Sequence, residues 1–195
     1  FYQATHGCAT TLFNEKLATR PCKRNKHCHT ALKTQEFYFQ AMPKGTIIES
    51  VKDALAVGSN IIESAKSGIV WLLPPEMLIF ASQFGLTDKC KTLIENGGRV
   101  RGITRVTKTY AKVIGELLDI GEEVRHVDRY QGAFMLVGDK KESISSIYLD
   151  LKALSLDEQL RAFWTDNLAY ADYLMSTFEF EWESAVDAKK ILQEL

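Results

Sequence analysis

No stretch of this chain approaches the roughly 20 apolar residues of a membrane-spanning helix. Its longest apolar candidate, residues 69–73, has the length of a strand, so no membrane partner is expected. Charge of either sign is not in excess: 24 lysines and arginines face 25 acidic residues, for a net charge of −1. Without a global basic field, direct nucleic-acid binding by the domain is not expected. Cysteine is scarce, with four in 195 residues, and no C-x2-C pair occurs, so no zinc-finger pattern fits. Short repeats, low-complexity tracts and a signal-peptide pattern are also missing, and the first residue is Phe1 rather than methionine. The expectation is a cytoplasmic piece of a longer protein whose output domain lies outside it.

What remains is enough for one core. Hydrophobic residues make up 46% and charged residues 25%, ordinary values for a single domain with a small annex. The annex is residues 1–43, which hold three of the four cysteines and three of the four histidines. Cys8, Cys22 and Cys28 with His29 could close a tetrahedral zinc site or bind an iron–sulfur cluster. The nearby cations Lys23, Arg24 and Lys26 would favour thiolate, for metal or for redox chemistry. A Cys22–Cys28 disulfide and inert buried cysteines compete with that reading. Cys90, beside Leu93 and Ile94 on a helix, reads as core.

Periodic structure occupies residues 44–195. Thr46 and Glu49 have capping-box spacing, and Ile47, Ile48, Val51, Leu55, Ile62 and Ala65 share one helical face. Strand 69–73 is apolar throughout, which predicts a sheet covered on both faces. Helices follow at 77–84 and 87–96, a strand at 100–106, a helix from Tyr110 closed by Gly121, and a strand at 124–127. Two further strands, 133–137 and 143–149, flank the charged turn Gly138-Asp139-Lys140-Lys141-Glu142. One amphipathic helix is expected over 157–178 and another over 182–195. The order implies an α/β class, a mixed-sheet α/β/α sandwich with helices on both faces.

Three stretches then carry a resemblance. Glu95-Asn96-Gly97-Gly98-Arg99-Val100-Arg101-Gly102-Ile103-Thr104 is similar to a helix–glycine–V-x-V-R-x-I step, and Gly121-Glu122-Glu123-Val124-Arg125-His126-Val127 to a G-x-E-V-R-x strand. Phe163-Trp164-Thr165-Asp166-Asn167 and Phe178-Glu179-Phe180-Glu181-Trp182-Glu183 resemble closing helices. Together they resemble a single phospholipase D-like half, over about 45–188, of the degenerate kind found as sensory or effector domains of archaeal regulatory proteins.

That resemblance places a His-x-Lys-x4-Asp motif on YQGAFMLVGD, residues 130–139. Counting back from Asp139, the histidine position is Gly132 and the lysine position is Phe134. The Gly-Ser-x-Asn that follows in the family is replaced by Ser145-Ser146-Ile147-Tyr148. Neither glycine nor phenylalanine can attack phosphorus or hold phosphate oxygens. The resemblance therefore implies a non-enzymatic, homodimeric sensory domain with a small-molecule or metal effector. The alternative is a phosphodiesterase or nuclease with a displaced nucleophile, His126. A residual ligand pocket would be lined by Tyr130, Phe134, Asp139, Arg105, Trp164 and Asn167, joined by Pro74, Glu76 and Thr104 from strand ends. Core roles for Phe134 and Trp164, and a turn role for Asp139, compete with it.

Overall fold

The structure is a computed structural model that describes residues 44–128, 134–149 and 160–195, with 147–149 as backbone only. These residues build one mixed sheet of eight strands in the order β1-β7-β6-β5-β2-β3-β4-β8. The strands are β1 (Gly45–Ile48), β2 (Gly68–Leu72), β3 (Arg99–Thr104), β4 (Glu123–His126), β5 (Met135–Gly138), β6 (Glu142–Leu149), β7 (Leu160–Thr165) and β8 (Val186–Asp187). The helices among the described residues are α1 (Val51–Ser64), α2 (Pro75–Gln83), α3 (Leu86–Glu95), α4 (Ala111–Asp119), α5 (Leu168–Ser184) and α6 (Ala188–Glu194). β2, β3 and β4 run parallel, and every other pairing is antiparallel. None of the described helices is long and apolar enough to cross a membrane.

The unbroken apolar run in β2 has the expected cause. Ile69 and Trp71 enter a core with residues of α1, α2, α3, α4 and α6, while Val70 points the other way. There it meets Ile103, Met135 and Val137 under Ala171, Leu174 and Phe178 of α5. The two arginines of the V-R steps fasten that helix. Arg101 makes a forked pair with Glu179 at 3.0 and 2.6 Å and lies over the Phe178 and Trp182 rings. Arg125 stacks 4.3 Å from the Trp182 ring centroid and donates to the Trp182 carbonyl. Planar guanidinium suits both tasks at once.

Three expected elements differ. Residues 45–48 are not the first turn of a helix; they pair with β7, Ile48 opposite Ala162. α1 starts at Val51, and its cap is Ser50, whose hydroxyl accepts from the Asp53 N–H at 3.0 Å. Such a cap stabilises a helix by about 1 kcal/mol. The expected helix over 157–178 is instead strand β7 followed by α5, whose start is set by Asn167 accepting from Ala169 and Tyr170 N–H groups at 2.9 and 3.2 Å. Farther on, the expected helix over 182–195 is split at Ala185 and β8, after which Asp187 caps α6 through the Lys189 N–H.

Candidate functional site

In open α/β sheets, ligands bind in the crevice outside the carboxyl ends of the parallel strands. Here β2, β3 and β4 end together, and Pro74, Arg105 and Val127 follow them. The chain is stitched across this edge by Leu73 N–H to Ile103 carbonyl and Val127 N–H to Thr104 carbonyl, each 3.1 Å. Glu76 stands in the first turn of α2, directly after the double proline that ends β2. Tyr110, the residue before α4, lies close enough to Glu76 to feel its charge. Burial first, and then the Glu76 carboxylate, raise the Tyr110 phenol above its ordinary value, while Arg105 acts in the opposite direction. Arg105 itself is exposed.

His126 closes the far side of the crevice and is 8% exposed. Its Nδ1 accepts from the Val106 backbone N–H at 2.9 Å, which places the ring proton on Nε2. Nε2 lies 2.9 Å from the Asp128 carboxylate and donates to it. Both ring nitrogens are therefore engaged, and the only lone pair faces a main-chain amide that has nowhere to go. An imidazole held this way presents no free lone pair to a phosphorus atom. Beside it, Thr104 is fully buried in register with His126, and its hydroxyl has no hydrogen-bond partner among the described residues.

The six residues expected to share a pocket are not brought together. Arg105 lies at the carboxyl-end crevice. Phe134 precedes β5 near that edge, but its ring is buried, at 5% exposure, in the core beneath α1. Its backbone binds Ser146: the Phe134 N–H donates to the hydroxyl at 2.8 Å and its carbonyl accepts the Ser146 N–H at 2.9 Å. Asp139 is at the other end of β5, on the order of 15 Å away for five strand residues. There its carboxylate accepts from the N–H groups of Lys66, Ser67 and Gly68. Asn167 is spent on capping α5, and Trp164 packs half-buried against the core beneath α1, opposite Ile144 and Thr46. The reason is reach: Phe134 and Asp139 flank β5 at its two ends, so an extended strand holds them apart, at opposite ends of the sheet's strands. Tyr130 and Gly132, and the cluster Cys8, Cys22, Cys28 and His29, lie outside the described residues. Cys90 is buried as expected, and burial first, then the charge of Glu122, push its thiol up.

No protein-family model and no curated protein matches the sequence. Solved structures do match. Nuc from Salmonella typhimurium, a phospholipase D family member, superposes with a TM-score of 0.58 at 14% identity, over 75% of this chain and 98% of its own. NucT from Helicobacter pylori gives 0.56 at 15% identity, over 75% and 99%. The chain has a phospholipase D-like fold. TrmBL2, an archaeal chromatin protein with its own mode of DNA binding, gives 0.57 at 15% identity and covers 83% of this chain. This chain spans 64% of the length of TrmBL2.

Two expectations are corrected by these likenesses. Exclusion of enzymatic activity rested on the residues at two motif positions, but the fold is shared with phospholipase D-family proteins, so the architecture gives no ground for that exclusion. Exclusion of nucleic-acid binding rested on a net charge of −1, yet a protein of this fold binds DNA. Net charge is a sum over the whole surface and says nothing about one edge of it.

Proposed function

We propose that this chain is the regulatory domain of a DNA-associated protein and that its strand-end crevice contacts nucleic-acid phosphates. The observation that carries the reading is the fold shared with TrmBL2 over 83% of the chain. Local charge supports it. Residues 105–112, RVTKTYAK, join β3 to α4 with three cations and no acid, and Arg105, Lys108 and Lys112 are all exposed. Among the described residues Lys112 pairs with Glu116 one turn on, 3.9 Å away, a pair too open to hold it. Three cations on this loop and the first turn of α4 can neutralise phosphates where the whole molecule, being slightly acidic, attracts none.

The test is anisotropy of a labelled DNA duplex over a salt series. Binding should weaken as salt rises, and each of Lys108→Ala and Lys112→Ala should reduce the slope of log affinity against log salt by about 1. Absence of binding at about 50 mM salt, or slopes unchanged in both variants, refutes the reading.

A further inference from the structure

A cavity of about 70 Å³ lies between α1, α2, α3 and the sheet. Its walls are apolar, with Leu55, Ile62, Ile69 and Leu136 among them, and its rim is formed by half-buried Ala81, Leu86 and Thr87. One ionisable carboxyl faces this space. Glu122, from the link between α4 and β4, is 4% exposed, and its Oε2 accepts from the Trp71 indole N–H at 3.0 Å. The Cys90 thiol lines the same space and acts on the same carboxyl. Among the described residues no lysine, arginine or histidine pairs with it. Burial is the largest influence on Glu122 and raises its pKa to about 7, against the opposing pull of Trp71 and Cys90. An apolar chamber with an uncompensated acid is costly when that acid ionises. A cation from outside the chain removes the cost.

We propose that this cavity binds a small primary amine, its ammonium held by Glu122 and its hydrocarbon tail by the apolar walls. The size follows from the volume: one water-sized group takes about 10–15 Å³, so the space accommodates on the order of five heavy atoms. Trp71 positions the carboxyl, and entry runs past the rim beside the α2–α3 turn, where Gly85 has a φ of 74°. The site is on the side of the sheet covered by α1, α2 and α3, separate from the strand-end loop that carries the DNA reading. Either proposal therefore stands without the other.

The experiment titrates the chain at pH 8 with butylamine and with butan-1-ol, reading tryptophan fluorescence and thermal shift, and repeats both titrations on Glu122→Gln and Gly58→Ala. A methyl at Gly58 enters the cavity, with Leu136 Cδ2 at 3.4 Å as its nearest neighbour, an ordinary contact. Saturable butylamine binding, about tenfold or more tighter than butanol and lost by a similar factor in Glu122→Gln, is the expected result. Gly58→Ala should weaken it as well. No saturation, equal affinity for amine and alcohol, or an unchanged amine affinity in Glu122→Gln overturns the proposal. Should Glu122→Gln fail to fold, the amine-to-alcohol ratio and its response to Gly58→Ala decide alone.

Discussion

Asp139 sits at a position where the chain reverses and does two jobs there. It and Lys140 take the left-handed conformation, φ 49° and 58°, and the Lys141 N–H closes the turn on the Gly138 carbonyl at 2.9 Å. Both central residues with positive φ define the mirror-image turn that suits twisted antiparallel strands. Its carboxylate then reaches across 72 residues of sequence to take the Ser67 hydroxyl at 2.6 Å and the three N–H groups entering β2. Partial burial opposes ionisation, but the Ser67 hydroxyl and those N–H groups outweigh it and lower the pKa from 3.8 to about 2. A folded value below the unfolded one contributes stability above about pH 4 that is lost as pH falls toward 2. Asp139→Ala should cost about 2 kcal/mol at pH 7 in urea denaturation, with the deficit shrinking near pH 2. An equal deficit at both pH values would show that the charge is not what matters. The turn was legible in Gly138-Asp139-Lys140-Lys141, but the partners were not, because residues 66–68 become neighbours only once β2 and β5 pair.

At the scale of elements, the contact between β2 and β3 is fixed by one large residue and one that has no side chain. Trp71 lies opposite Gly102, and a Cβ on that glycine would come within 2.0 Å of the indole Cζ2. The ring must then move, taking its hydrogen bond to Glu122 with it. Gly102→Ala is expected to lose about 3 kcal/mol, through overpacking and the unpaired indole N–H together. Gly115→Ala in α4, where no atom lies within 4 Å of the new methyl, should instead gain up to about 1 kcal/mol from helix propensity. Denaturation midpoints of the two variants, compared with the parent, check both signs. β2, β3, β4 and the β5–β6 hairpin were legible because each has a local pattern bounded by glycine or proline. β1 and β7 were not. LRAFWT has its large residues Leu160, Phe163 and Trp164 at helical spacing, and only its pairing with β6 and β1 makes it a strand.

For the whole molecule, acids bend the dependence of stability on pH in opposite directions. Asp139, together with Glu123 and Glu179, whose pairing with Arg99 and Arg101 first of all holds them below the ordinary range, favours the folded state once ionised. Glu122 does the reverse. Nothing in Gly121-Glu122-Glu123 distinguishes the two glutamates by sequence, yet Glu122, just before β4, is buried and Glu123, its first residue, pairs outside with Arg99. With a folded value of about 7 against 4.5 unfolded, Glu122 keeps its proton in the folded chain after the unfolded chain has released it. Its stabilising contribution is complete below about pH 4.5, falls as pH rises through 7, and is flat beyond, a change of roughly 3 kcal/mol. The parent protein should therefore be less stable at pH 8 than at pH 5, and Glu122→Gln, which cannot ionise but still accepts from Trp71, should remove that slope. Urea midpoints of the two proteins at pH 5, 6, 7 and 8 measure it directly. Parallel curves would mean that the carboxyl ionises in the core without cost, and would remove the physical reason for a cation in the cavity beside it.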